Sequence, residues 1–129
     1  SQRLARIAGS LEWPANLWIG VSVESDRYTF RARDLATVEQ ASVRFLSCEP
    51  LLGALPSLSL EGIDWVIAGG ESGPRYRPVE LGWVRDLRDL CTAERVPFFF
   101  KQWGGRTPKA GGRELDGHIH NDMPARNIS

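Results

Sequence analysis

Residues 63–73 read IDWVIAGGESG, an apolar run followed by two glycines, a carboxylate and a serine. Short apolar runs that end in turn residues are typical of buried strands. A strand that is buried on both faces belongs to a parallel sheet covered by helices. Gly69 and Gly70 allow a sharp turn, or a close approach of the backbone to a ligand. Glu71 and Ser72 then follow the strand at its C-terminal end, where α/β proteins place their sites.

Three other segments have the same form: NLWIGVSVE at 16–24, VRFLSCE at 43–49 and PFFFKQW at 97–103. We therefore predict four parallel strands, near residues 17–23, 43–48, 64–69 and 97–102. Like ends of parallel strands share one side of a sheet, so the polar residues that follow them should meet there. Ser22, Ser47 and Gln102 are among those residues. The candidate ligand-binding residues are Glu24, Glu49, Gly69, Gly70, Glu71, Ser72, Lys101 and Trp103.

The segments between these strands predict helices and loops. A helix over residues 81–94 is the best supported, because Val84, Leu87 and Cys91 recur on one face. The remaining expectations are a helix over residues 2–9, a helix from residue 25 or 26 to about residue 38, and a loop with a short extended piece over 51–62. The tail over 104–129 is expected to be irregular, with a hairpin at Asp116-Gly117.

Strands that alternate with helices predict an α/β fold with parallel, right-handed connections. A complete (β/α) barrel has eight such units in roughly 250 residues, and this chain supplies about half of them. We expect a single domain over residues 1–129. It forms either an open four-stranded parallel sheet or the C-terminal half of a larger barrel, in both cases with a C-terminal hairpin.

The composition excludes several classes of partner. The chain has 16 basic and 16 acidic residues and no polybasic segment, so nothing favours nucleic acid or an anionic membrane. No apolar run reaches transmembrane length, and no signal peptide is evident. Cys48 and Cys91 are too far apart for a CxxC pair and suit a reducing cytoplasm. His118 and His120 alone are too few to hold a metal.

The charged candidates each allow two interpretations. Glu24, Glu49 and Glu71 are acid/base groups and acceptors for a ligand amine or hydroxyl, or they are helix caps and partners of nearby basic residues. Lys101 is the cation of a pocket, or a surface lysine whose stem lies on apolar residues. Arg75 and Arg77 after the glycine turn suit a carboxylate or phosphate, but the turn lacks the GKS/T of a phosphate loop.

The blocks NLWIGVSVE, VRFLSCEPLLG, IDWVIAGGESG and VPFFFKQWG resemble a phage-associated family of uncharacterised bacterial proteins similar to radical S-adenosylmethionine barrels. The resemblance implies S-adenosylmethionine and an iron–sulfur cluster in full-length members, with the cluster held by an N-terminal group of cysteines. Neither Cys48 nor Cys91 matches that group, so we expect no cofactor in this chain. Radical enzymes also hold the methionine amino group with a Gly-Gly-Glu-like turn on an early strand. That role is not transferred to Gly69-Gly70-Glu71, which lies on the third strand.

Three functions follow as hypotheses. The first is the C-terminal half of a radical-enzyme-type barrel that supplies substrate- or cofactor-contacting residues, with catalysis dependent on a cysteine segment from elsewhere. The second is a binding module for a small polar ligand. The third is an interaction protein whose open sheet pairs with another copy or with a missing N-terminal half. The sequence identifies no substrate under any of the three.

Overall fold

The structure, a computed structural model, describes residues 17–107 and 109–124. The helix expected over residues 2–9 lies outside these residues. The elements are β1 (Trp18–Ser22), a 3-10 helix (Asp26–Tyr28), α1 (Phe30–Leu35), β2 (Val43–Cys48), β3 (Trp65–Ala68), α2 (Leu81–Ala93), β4 (Phe98–Phe100), β5 (Glu114–Leu115) and β6 (His118–Ile119).

The four main strands form one sheet in the order β1-β2-β3-β4, and all three pairings are parallel. The α/β class, the four strands and the C-terminal hairpin are therefore confirmed. In the hairpin, β5 and β6 pair in antiparallel fashion around Asp116 and Gly117, which both have positive φ. No described helix is both long enough and apolar enough to span a membrane.

The helices cover one face of the sheet. Side chains alternate between the two faces of a strand, so Leu46 and its neighbours Val66 and Phe98 share the helix side. These three are buried in one core. In the same core, α2 contributes Val84, Leu87 and Cys91, the residues whose spacing predicted it.

The opposite face carries a row of rings that we call the aromatic face: Trp18, Phe45, Trp65 and Phe99. Trp65 lies at its centre, with ring centroids 5.9 Å from Trp18, 5.8 Å from Phe45 and 6.1 Å from Phe99. The Phe45 ring lies over Gly20, where an added Cβ would be 2.3 Å from the ring. Trp65 is buried and the other three rings are partly exposed.

The outer edge of β4 is paired with the end of the tail. The Phe100 N–H donates to the His120 carbonyl (2.8 Å), and the Asp122 N–H donates to the Phe98 carbonyl (3.3 Å). Phe99 and Asn121 form an antiparallel bridge. In addition, Trp65 Nε1 donates to the Asp122 carbonyl (2.8 Å). We call residues 120–122 the tail strand.

The hairpin is attached to α2 by charge. Asp116 accepts hydrogen bonds from the guanidinium groups of Arg85 and Arg88, and these bonds hold the pKa of its carboxyl well below the usual range. Arg88 also donates to Asp89 (3.0 Å). The tail was predicted as irregular over residues 104–129. In the part that the structure describes, it is held to α2 by these contacts.

The helix predicted from residue 25 or 26 to about residue 38 is shorter than expected. A 3-10 turn precedes α1, and α1 ends at Leu35. Thr29 Oγ1 donates to the Asp26 carbonyl and Thr37 Oγ1 to the Asp34 carbonyl, and such local bonds favour turns over a continuous helix. Residues 51–62 form no helix, as predicted, and the short extended piece expected there is not a strand.

Candidate functional site

The C-terminal ends of β2, β3 and β4 surround an open cleft of about 590 Å³, which we call the strand-end cleft. It is lined by Ser47, Glu49, Pro50, Gly70, Glu71, Ser72, Lys101 and Gln102. Parallel strands bring their ends together, so the position of this cleft follows directly from the topology.

Glu49 and Lys101 occupy the middle of the cleft. Lys101 Nζ lies 3.3 Å from Glu49 Oε2 and 3.4 Å from Oε1, and Ser47 Oγ lies 3.4 Å from Oε1. All three contacts are long for hydrogen bonds to a charged group. A carboxylate offers about four acceptor sites, so Glu49 retains capacity for a ligand donor. The Glu49 side chain is 26% exposed and the Lys101 side chain is 47% exposed, so a ligand can reach both.

Glu71 also lines the cleft, but its oxygens are occupied by Arg77. Arg77 donates from Nε (3.0 Å) and from its backbone N–H (2.8 Å) to Oε1, and from Nη2 (2.6 Å) to Oε2. These hydrogen bonds lower the pKa of Glu71 to about 2. Of the two interpretations of Glu71, the local ion pair therefore accounts for its main contact, and the partner is Arg77. The pair closes the loop over residues 71–77.

Glu24 is not among the residues that line the cleft. Its carboxylate lies 4.0 Å from Arg31 Nη1 on α1. Arg31 in turn donates to the Ser22 carbonyl (3.0 Å) and lies 4.4 Å from the centre of the Tyr28 ring. The chain turns into the 3-10 helix directly after β1, which places the Glu24 side chain beside α1.

The two glycines of the central motif have different roles. A Cβ on Gly69 would lie 3.1 Å from Gln102 Nε2 and 3.3 Å from Glu49 Oε2, so Gly69 leaves room beside Glu49. A Cβ on Gly70 would lie 1.8 Å from the Trp103 carbonyl oxygen. The Gly70 N–H donates to the Gln102 carbonyl (2.8 Å). The close approach predicted for Gly70 is therefore made to the neighbouring backbone.

Ser72 and Trp103 complete the set of candidates. Ser72 lines the cleft and forms a parallel bridge with Gly105. The Trp103 ring instead packs on Phe100, with centroids 4.9 Å apart, and its Nε1 donates to the Glu114 carbonyl (2.7 Å). Trp103 thus joins the helix-side core and the hairpin. Gln102 lines the cleft, and its Nε2 donates to the Gly70 carbonyl (3.1 Å).

The described residues do not fit an iron–sulfur cluster. A cluster needs closely spaced thiolates. Burial raises the pKa of Cys91 to about 12 and raises that of the fully buried Cys48 further, so both thiols stay protonated at neutral pH. Within residues 17–107 and 109–124, no three His, Cys, Asp or Glu side chains come together as metal ligands.

Comparison with known protein families identifies the family to which the chain belongs. A family model described as a protein of unknown function, DUF5131, matches residues 1–124. The chain belongs to this family. Comparisons of this DUF5131 chain with curated proteins and with solved structures return no match. Membership of an uncharacterised family is therefore confirmed, while the phage association and the radical S-adenosylmethionine likeness stay predictions.

Proposed function

We propose that this DUF5131 chain binds a small polar ligand in the strand-end cleft, through a hydroxyl or ammonium group of the ligand. The observation that supports this function is the set of long contacts around Glu49. Its carboxylate lies beside Lys101 and Ser47, at the sheet edge where α/β proteins bind ligands. A carboxylate with free acceptor sites binds hydroxyl and ammonium donors.

The charges of the cleft favour Glu49 over Glu71 as the ligand acceptor. Arg77 already occupies both oxygens of Glu71. The pair between Glu49 and Lys101 is partly exposed, and exposed pairs of this kind are worth about 0–1 kcal/mol. A ligand donor therefore displaces Lys101 from Glu49 at small cost, and Lys101 becomes free to donate to an acceptor on the same ligand.

A wider proposal rests on the sequence resemblance. In it, the chain is the C-terminal half of a phage-associated radical S-adenosylmethionine-like barrel protein, and the cleft contacts the substrate or the cofactor. The described residues do not fit the iron–sulfur cluster, so we assign no reaction step through it. Binding of a small ligand is the function that the geometry supports best.

The experiment is a titration of the ¹⁵N-labelled chain with ethanolamine, which carries both donor types, and with acetate as the anionic comparison. We expect saturable shifts of the Gly69, Gly70 and Gln102 amides with ethanolamine. Glu49→Gln removes the charge and should abolish them. Glu61→Gln, at an exposed carboxylate outside the cleft, is the matched control. Absence of saturable shifts, or equal losses in both variants, would refute the proposed site.

A further inference from the structure

A second cavity, of about 440 Å³, lies between the C-terminal half of α2, the start of β4 and the tail strand. It shares no lining residue with the strand-end cleft. Phe98 begins β4, whereas Lys101 follows its end, so the two cavities lie toward opposite ends of this strand. We call it the tail cavity.

His120 lines the tail cavity, and one nitrogen of its ring is buried without a hydrogen-bond partner in the described part of the chain. Its backbone carbonyl is held by the Phe100 N–H, and its ring packs edge-on against Phe98 with centroids 5.7 Å apart. These contacts hold the backbone of His120 beside β4 and place its ring against Phe98. Its Nε2 is buried and makes no hydrogen bond with the described part of the chain. A buried polar atom without a partner is costly, so a bound group that hydrogen-bonds with Nε2 would be favoured.

Arg95 supplies an unused cation to the same cavity. It lies just after α2 with φ of 58°, in the left-handed region where helix ends usually have glycine. Its N–H donates to the Thr92 carbonyl (3.2 Å), and the next N–H, that of Val96, donates to the Cys91 carbonyl (2.8 Å). The Arg95 guanidinium has no ion pair or hydrogen bond with any residue in the ranges 17–107 and 109–124. The backbone of Arg95 is therefore fixed, while its guanidinium stays available to a ligand.

The other residues that line the tail cavity indicate the class of ligand that it suits. Arg88 also lines the cavity, but Asp116 and Asp89 already neutralise it. Asp122 is the one carboxylate among the described residues that line the cavity; because it repels an anion, the anion would have to be held by Arg95. Phe98 and Met123 add apolar surface. A cation, a hydrogen-bonding imidazole and an apolar wall together suit a carboxylate with an apolar body.

We propose that the tail cavity is a second ligand site, which binds a small organic carboxylate. The guanidinium of Arg95 pairs with the carboxylate, the Nε2–H group of His120 donates a hydrogen bond to it, and the apolar body lies against Phe98 and Met123. The site is independent of the function proposed for the strand-end cleft, because the two share no residue.

The test uses sodium benzoate as the probe and benzamide, of the same shape but uncharged, as the comparison. Both are titrated into the ¹⁵N-labelled chain while the imidazole signals of His120 are followed. Calorimetry gives the Kd in parallel. We expect saturable binding of benzoate with a shift at His120, and binding of benzamide that is weaker by roughly tenfold or more, because only the anion pairs with Arg95.

Two variants separate the site from a general charge effect. Arg95→Gln should weaken benzoate binding by roughly tenfold or more. Arg33→Gln, at an exposed arginine on α1, should leave the Kd unchanged. The melting temperature of each variant verifies that it is folded. If His120 Nε2 is only hydrated, benzoate gives no saturable shift, and the proposal fails. It also fails if both variants weaken binding equally, or if benzamide binds as tightly as benzoate.

Discussion

Lys101, after β4, reaches across β3 to Glu49, after β2, with Nζ 3.3 Å from Oε2. The residue between them is Gly69, directly after β3, and a Cβ there would lie 3.3 Å from the same oxygen. The absence of a side chain at this position therefore allows charges that follow two non-adjacent strands to meet.

Gly69→Val should remove this arrangement. The Cβ would meet the ends of the Gln102 and Glu49 side chains, and the two methyl groups of valine would take up more of the space between them. We expect loss of ethanolamine binding, with a loss of unfolding free energy no larger than the usual cost of overpacking, about 1–3 kcal/mol, because flexible side-chain ends can relax. Titration and urea unfolding measure the two quantities. A variant that binds ethanolamine normally would contradict this role of Gly69.

Gly70→Ala should instead destabilise the fold. The new methyl group would meet the Trp103 carbonyl, a backbone atom that moves only if the two strands separate. We expect a loss of at least about 1–3 kcal/mol, the usual cost of overpacking. Gly82→Ala is the matched control, because a Cβ at this helical position would meet no described atom within 4 Å apart from its neighbours and the backbone of its own helix. That control should gain roughly 0.5–1 kcal/mol. Equal effects of the two substitutions on urea unfolding would be inconsistent with this packing.

The pair between Glu71 and Arg77 predicts a dependence of stability on pH. The pKa of Glu71 is about 2 in the folded chain, below its ordinary value of 4.5. The unfolded chain therefore binds a proton first as the pH falls. The stabilising effect of Glu71 should be complete above about pH 4.5 and should disappear toward pH 2. Melting temperatures of the wild type and Glu71→Gln should thus converge over this interval. A constant difference, or an NMR titration of the Glu71 carboxyl near 4.5, would show that Arg77 does not hold it.

We further propose that the aromatic face leads the chain to self-associate, because partly exposed rings on a sheet tend to be covered. Sedimentation equilibrium should show association that weakens in Trp18→Ser, which removes one ring from that face. Phe30→Ser is the control, because Phe30 is exposed but lies on α1. A stable monomer at high concentration would contradict the proposal and favour a self-sufficient open sheet.

The sheet was predictable because each strand is a short apolar run bounded by turn residues. The helix α2 was predictable because Val84, Leu87 and Cys91 recur at helical spacing. Such patterns are local, and burial enforces them. The cleft followed from topology, since parallel order alone brings Glu49, Glu71 and Lys101 to one side.

The directions of individual side chains were not predictable in the same way. Trp103 lies three residues after the end of β4, and its ring direction depends on Phe100 and on the distant Glu114 carbonyl. The partner of Glu24 depends on where α1 places Arg31. The pairing of the tail strand with β4 joins segments that have no common sequence pattern. These features arise from long-range contacts, and periodicity carries no information about them.

Because of the tail strand, the two edges of the sheet differ in how readily another strand can pair with them. Its pairing occupies the hydrogen-bonding edge of β4, whereas β1 pairs only with β2 among the described strands. Within the described residues, a further strand beside β1 would meet the Arg31 side chain at the Ser22 carbonyl but no paired backbone, whereas beside β4 it must first displace residues 120–122. Any assembly that extends this sheet should begin at β1, and slow exchange of the Phe100 and Asp122 amides in the assembled state would mark β4 as its closed end.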